Sequence, residues 1–386
     1  MTKVTKNILI ISSTNTITQR TILITNTLAK ENNTIYLCWQ RFAVTNIDNN
    51  KTILINENRF VKYLYAVAKY LLYYKYNTVI FSDYRLFPVI LSLAKLKKAN
   101  IVYNNEEIPT VTGAEKIVEN LKLNFRLAYK LMYKIEHFFS KSVDGILSVP
   151  LEADLQRQFM KYNANTEIIL NVPDISIKSK AYRITELSGK EYLIYSGVIF
   201  QEKGLHHYLN LIKKLRAEQM DIYLLLIGHL WNIRETELTQ IIDDVNHECG
   251  GVVYKRWIPY ENLLTIISNA TIGLALLDPN FVKFKYLWNG ATRKMFTYMS
   301  CGIPVITNKP FGSVVTEENC GIRVDYDDET TLFKETASLL RAEQKRKLMG
   351  INGKNAIINK YSWKLEENKV LKVFENIWKE TGRSTS

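Results

Sequence analysis

Three stretches of this chain stand together, and the first two carry residue types that suit the binding of an anion. Tyr195, Ser196 and Gly197 are followed, after five residues, by Lys203 and Gly204 at a predicted helix start. A glycine turn, a lysine and free helical N–H groups converging there would hold a phosphate. A Lys-Gly pair before a helix is also a common turn, and that reading stays open. In the second stretch, Asn289–Val305, a loop bearing Gly290 enters a predicted helix through the adjacent Arg293 and Lys294. Cations in a first turn oppose the helix dipole at ~0.3–1 kcal/mol each, a misfit that a bound anion offsets. The third stretch, Gly321–Asp325, is followed by Asp327, Asp328 and Glu329.

Charge is the second signal. The chain has a net charge of +13 over 386 residues, and the imbalance is uneven. Residues 1–180 hold 24 basic and 14 acidic residues, against 27 and 24 in the remainder. Arg59–Tyr76 reads as a helix with Phe60, Leu64, Val67 and Leu71 on one face and Lys62, Lys69, Tyr73 and Tyr76 on the other. Lys122, Arg126, Lys130 and Lys134 recur at every fourth residue, one cationic stripe flanked by Tyr129 and Tyr133. Like charges at that spacing cost a helix ~0.2–0.5 kcal/mol per pair. An anionic membrane surface would offset this, at about 1 kcal/mol per cation. A solvated helix surface is the plainer alternative.

Several classes are excluded. No zinc finger, helix-turn-helix or RNP-like string supports a nucleic-acid partner. Cys38, Cys249, Cys301 and Cys320 show no paired metal spacing, so neither a metal site nor a disulfide frame is expected. No apolar run approaches the ~20 residues of a membrane span. The apolar opening Asn7–Ile11 is too short for a signal-peptide core, so a cytoplasmic protein is expected.

The elements that must position these residues read as two series. Strands are predicted at Asn7–Ser12, Thr78–Ser82, Ile101–Tyr103 and Gly145–Val149, and again at Glu191–Ser196, Ile222–Gly228, Val252–Tyr254, Thr271–Leu276 and Pro304–Thr307. Continuous apolar strands separated by helices imply parallel sheets covered on both faces. The expected architecture is α/β, with two doubly wound Rossmann-like domains facing a central cleft. The boundaries are 1–175 and 187–362, with a polar linker near Asn171–Lys190. A last amphipathic helix, 363–380, carries Val370, Phe374 and Ile377 on one face and packs back on the first domain.

Taken in order, these segments resemble the nucleotide-sugar half of retaining GT-B glycosyltransferases of the family-4 type. The family writes its donor loop as E-G-F-G-x-P-x-x-E-A-M-A-x-G-x-P-V-I, or in another branch P-x-K-x-x-E-Y-M-x-x-G-x-P-V-I. Gly290, Lys294, Tyr298, Met299, Gly302, Pro304, Val305 and Ile306 match one or both forms. Ile101–Ile108 (IVYNNEEI) is similar to the family's V-Y-D-x-H-E-L, and Asn171–Pro173 to its N-x-P. Tyr254–Leu276 is similar to its G-x-V-P-x-E-E-L segment, and Tyr361–Trp363 to its closing Y-S-W.

The resemblance implies a site. Lys203 would clamp the donor diphosphate beside Gly197. The family arginine just after that glycine is Val198 here, and Arg293 or Lys294 would replace it. The two family glutamates fall on Asn289 and Thr297; Asn289 would lie near the sugar and Thr297 would hydrogen-bond a ribose hydroxyl. Trp257 and Ile258 fall where the family passes the base, and His229 sits on the rim. In the first domain Glu107 matches a family glutamate and Glu106 replaces its histidine. One of the pair would orient or deprotonate an acceptor hydroxyl. Thr14 and Asn15 stand where the family often has glycines, which narrows that loop.

The function implied is a retaining, metal-independent, hexosyltransferase-type enzyme. It would take a UDP- or GDP-linked sugar, with no other cofactor, and a lipid-linked or nascent polysaccharide acceptor. The place implied is the cytoplasmic face of the cell membrane. The alternative is a non-catalytic subunit of the same fold that binds a transferase or a glycan.

Overall fold

The structure is a computed structural model. It describes residues 5–12, 19–39, 51–55, 57, 59–106, 109–150, 160–281 and 292–383. Two compact units emerge, one formed by Met1–Asn171 with Lys364–Ser386, the other by Val172–Trp363.

The first unit is built on seven parallel strands: β1 (Asn7–Ser12), β2 (Asn33–Trp39), β3 (Lys51–Ile55), β4 (Thr78–Phe81), β5 (Asn100–Asn105), β6 (Gly145–Ser148) and β7 (Thr166–Ile168). Their spatial order is β3-β2-β1-β4-β5-β6-β7. The chain winds outward in one direction from β1 and in the other from β4, the doubly wound order. The helices are α1 (Gln19–Ala29), α2 (Phe60–Tyr73), α3 (Phe87–Leu96), α4 (Pro109–Leu121) and α5 (Phe125–Ser140). Strand alternation shows which helix lies on which face. On β5 the Asn104 side chain reaches Thr21 of α1, whereas the Tyr103 ring packs on Phe87 of α3.

The second unit has six parallel strands: β8 (Glu191–Ser196), β9 (Ile222–Ile227), β10 (Val252–Lys255), β11 (Ile272–Ala275), β12 (Val305–Asn308) and β13 (Gly321–Val324). Their order, β10-β9-β8-β11-β12-β13, is again doubly wound. The covering helices are α6 (Leu205–Ala217), α7 (Glu235–Glu248), α8 (Tyr260–Ser268), α9 (Arg293–Cys301), α10 (Ser313–Glu317), α11 (Glu329–Arg341) and α12 (Glu343–Lys360). β8 and β9 read as unbroken apolar runs because both of their faces are covered.

The last helix, α13 (Trp363–Arg383), belongs with the first unit. Val370, Val373, Phe374 and Ile377 are buried, and Trp378 Nε1 donates to Thr78 Oγ1 on β4 at 3.1 Å. Gly145 makes room for it, since a Cβ there would lie 2.8 Å from Val373. Charge also ties α13 down. Buried Glu366 accepts from the Leu170 N–H and the Lys369 ammonium, both at 2.8 Å. Arg20, on α1, is buried and donates to the Ile169 carbonyl at 3.0 Å. Burial lowers the Arg20 pKa to about 10, and the nearby carboxylates Glu106 and Glu366 oppose that shift.

Four sequence expectations change. Strands β2, β3 and β7 join the first sheet, and β13 joins the second. Tyr76 lies beyond the end of α2 and is buried, its hydroxyl donating to the Leu71 carbonyl, so it is not on the outer face. Lys122 does not share a helix with Arg126, Lys130 and Lys134. It adopts a left-handed φ of 51°, α4 ends before it, and Asn124 caps α5 by accepting from the Arg126 N–H at 2.9 Å. The stretch read as a linker docks on the second unit. Lys180 N–H donates to the Glu261 carbonyl at 3.0 Å, and Thr265 Oγ1 donates to the Lys180 carbonyl at 2.6 Å.

Replacing Glu366 by alanine strips Arg20 of a neighbouring charge and the Leu170 N–H of its acceptor. The expected loss is about 2–4 kcal/mol from the first unit, measured as a shift of its unfolding transition in urea.

Candidate active site

Open α/β sheets take ligands beyond the carboxyl ends of the strands, where the winding direction reverses. In the second unit that place is between β8 and β11. Gly197 follows β8 with φ +134°, and Gly228 follows β9 with φ +152°. A Cβ on Gly228 would stand 1.7 Å from the Gly197 carbonyl oxygen, so only glycine allows the two strand ends to touch. Lys203 lies in the short 3-10 turn Gln201–Lys203, and Gly204 (φ +80°) is the N-cap of α6. A Cβ on Gly204 would sit 2.8 Å from Leu276, just beyond β11. The start of α6 therefore lies against the switch point, and no side chain caps it.

Helix α9 brings the other cations. Arg293 and Lys294 are its first two residues, and its N-cap Thr292 makes no side-chain capping bond. Lys294 Nζ is buried with no hydrogen-bond partner, 3.6 Å from the centroid of the Tyr195 ring. It lies 3.5 Å from where a Cβ on Gly197 would be. Tyr298, one turn along α9, fixes the helix to β8. Its hydroxyl accepts from the Ser196 N–H at 2.9 Å, and its ring fills the space that a side chain on Gly273 would take. The Arg293 guanidinium stands 4.8 Å over the Tyr260 ring, with Nε and Nη2 unpartnered. Lys203 Nζ is 4.9 Å from the Phe200 ring centroid.

The electrostatics follow from this crowding. Burial lowers the Lys203 pKa to about 8. Burial, and then the charge of Lys203, push the Lys294 pKa well below the usual lysine range. Among the described residues no carboxylate forms an ion pair with Lys203, Arg293 or Lys294. A buried ammonium without a counter-charge, as at Lys294, is costly. A diphosphate suits the two ammonium groups and the uncapped starts of α6 and α9, and the Arg293 guanidinium, over Tyr260, adds a further cation at the start of α9.

The other sequence-predicted residues are placed as follows. Thr297 is buried, and its hydroxyl donates to the Arg293 carbonyl at 3.0 Å within α9. Trp257 follows β10 and is exposed, Ile258 beside it is buried, and His229 is exposed after β9. In the first unit Glu106 follows β5 and accepts from the Asn104 amide at 2.8 Å and from the Thr21 hydroxyl. Lys62 and Lys69 are exposed on α2, and Lys122, Arg126, Lys130 and Lys134 are exposed around α5. Asn289, Gly290, Glu107, Thr14 and Asn15 lie outside the described residues.

Sequence reasoning gave no role to Tyr195, Tyr298, Arg20 or Glu366. Tyr298 had a usable signal, its matching place in the donor-loop pattern. Arg20 and Glu366 had none, because nothing local marks a charge interaction across most of the chain.

Two doubly wound parallel units of this kind define the GT-B glycosyltransferase fold. Residues 178–356, within the second unit, match the family model described as glycosyl transferases group 1. An uncharacterized glycosyltransferase of Methanocaldococcus jannaschii is 19% identical over 263 residues, 63% of this chain and 63% of that protein. The chain thus spans less than two thirds of that relative's length. Sucrose-phosphate synthase from Thermosynechococcus elongatus superposes with a TM-score of 0.70 at 12% identity, covering 97% of this chain and 100% of the other. Anabaena HepE in complex with UDP-glucose gives 0.68 at 11% identity, covering 96% and 99%. WaaG, a glycosyltransferase involved in lipopolysaccharide biosynthesis, gives 0.63 at 12%, covering 95% and 99%.

Two outcomes are expected at this site. Lys294→Met removes an uncompensated buried cation, so it should raise stability by about 1–2 kcal/mol while weakening diphosphate binding. Calorimetry and denaturant unfolding on the same variant would read both. Binding should also take up protons. Lys203 titrates near pH 8 when free, and a bound diphosphate raises that pKa. Affinity is then greatest below pH 8 and falls as pH rises through it, with a calorimetric signal that depends on the buffer's ionisation enthalpy.

Proposed function

We propose that the protein is a glycosyltransferase that moves a sugar, with retention, from a nucleoside-diphosphate sugar to a lipid-linked or nascent polysaccharide acceptor in cell-surface glycan synthesis. The observation that carries this reading is Lys294 Nζ, buried and unpartnered beside Gly197, with Lys203 close enough to depress its pKa. The donor is UDP- or GDP-linked and the sugar a hexose. The first unit takes the acceptor at the cytoplasmic face of the membrane.

The acceptor oxygen bonds to the anomeric carbon while that carbon's bond to the β-phosphate oxygen breaks. The electron pair leaves with the diphosphate, and the acceptor proton passes to the departing phosphate on the same face of the sugar. Lys203, Lys294 and Arg293 meet the growing negative charge, and each well-placed donor is worth roughly 3–4 kcal/mol of barrier. Together they supply the positive charge that a divalent ion would otherwise bring, which supports a metal-independent step. Glu106, fixed by Asn104 and Thr21, orients the acceptor hydroxyl. The similarity to HepE, a UDP-glucose complex, supports a nucleotide-sugar donor.

A second reading, a non-catalytic subunit that binds a glycan or a partner transferase, is favoured by one observation. Thr297 stands where the family has a glutamate, and its proton is already donated within α9.

A thermal-shift screen of UDP-, GDP-, dTDP- and ADP-sugars should raise the unfolding midpoint with one donor class. Turnover of that donor, insensitive to EDTA, should fall ~100–1000-fold in Lys203→Ala and Lys294→Ala. Turnover that these variants abolish excludes the second reading, and no shift with any sugar, together with no turnover in the wild type, rejects the transferase reading and leaves the second.

A further inference from the structure

In the first unit, α2–α5 and the turn joining α4 to α5 leave ten large apolar side chains exposed. Among the described residues, α1 and α13, which cover the other face of the same sheet, expose only Leu365. Single exposed apolar residues are ordinary, but a one-sided accumulation is not.

The spacing is regular. On α5, Leu127, Leu131 and Phe138 are four and seven residues apart, which aligns them along one side of the helix. They are 58%, 47% and 66% exposed. On α2, Val61, Tyr65 and Leu72 repeat the same interval, with Lys62 and Lys69 alongside. Arg126, Lys130 and Lys134 run beside the α5 line, and none of the three has a carboxylate partner among the described residues.

Helix α5 cannot roll to hide this line. Its inner side buries Ala128, Met132 and Glu136, and Glu136 accepts from Thr110 on α4. Met132 lies against Gly113 of α4, where a Cβ would come within 2.4 Å of its terminal methyl.

We propose that this layer is a membrane-docking face. The α5 and α2 apolar lines enter the boundary between headgroups and acyl chains, and the flanking cations meet the phosphates of an anionic bilayer. This deepens the membrane part of the proposed function by naming the surface and its mode of contact. An apolar line and a cationic line on one helix are the two signals that stable interfacial binding requires. A second copy of the chain is disfavoured, because a two-fold contact would set the α5 cations against like charges. A nucleic acid would engage the cations and leave the apolar line in water.

Co-sedimentation of the full chain with vesicles tests this. The protein should pellet with phosphatidylcholine vesicles containing phosphatidylglycerol and far less with phosphatidylcholine alone. Leu127→Ser with Leu131→Ser should weaken binding roughly tenfold or more. Lys130→Ala with Lys134→Ala should do the same at low salt and much less at high salt. Leu365→Ser, on the opposite layer, should change nothing. Wild-type protein left in the supernatant overturns the proposal, as does binding that the double leucine variant leaves intact. A dimer that this same variant dissociates also overturns it, by showing the face to be a contact between copies. Thermal shift with nucleotide sugars is read on every variant. Its persistence without vesicle binding removes this inference and leaves the transferase reading standing.

Discussion

The second unit depends on holding positive charge where, among the described residues, no carboxylate pairs with it. The Lys294 ammonium is buried over Tyr195 without a hydrogen-bond partner, and Lys203 lies close enough that its charge disfavours protonation of Lys294. Among the described residues nothing compensates this, so the surrounding elements must keep it in place. They do so with backbone rather than charge. Gly197 and Gly228 let two strand ends touch, Gly204 starts α6 against Leu276, and Tyr298 ties α9 to the end of β8. A side chain at Gly228 or Gly204 would clash. A site organised in this way keeps its shape when empty, so binding energy is not consumed in assembling it.

Much of the second unit was legible in the sequence, for a physical reason. Strands buried on both faces are unbroken apolar runs, as in Glu191–Ser196 and Ile222–Ile227, and such runs are easy to see. The glycines and cations lie close to those strand ends, so motif and element support each other. The first unit was less legible. β2 mixes Asn33 and Thr34 with Trp39, and β7 is three residues long, too short for a periodic signal. Residues 172–190 looked like a linker because they dock through backbone hydrogen bonds, which hydropathy does not register. Tyr76 was assigned to the outer face by continuing helical spacing past the true end of α2. The same error joined Lys122 to α5, although its left-handed backbone separates the two helices.

The candidate site shows the same division. Lys203, Lys294 and Arg293 stood out because lysine and arginine at a helix start conflict with the dipole. The aromatic rings beneath them did not stand out, since buried tyrosines are common in cores. Arg20 and Glu366 were invisible for a further reason. They come from α1 and α13, at opposite ends of the first unit's sequence, and meet only because α13 crosses back to a sheet completed long before it.

That return crossing also sets an order of assembly. Residues 172–363 form one uninterrupted stretch, so the second unit has everything it needs once that stretch has left the ribosome. The earlier-made unit does not. Its sheet has a face that α13 later covers, where Val370, Val373 and Phe374 become buried. The half synthesised first is therefore completed only after residues 172–363 have been made, and its apolar flank stays open until α13 arrives.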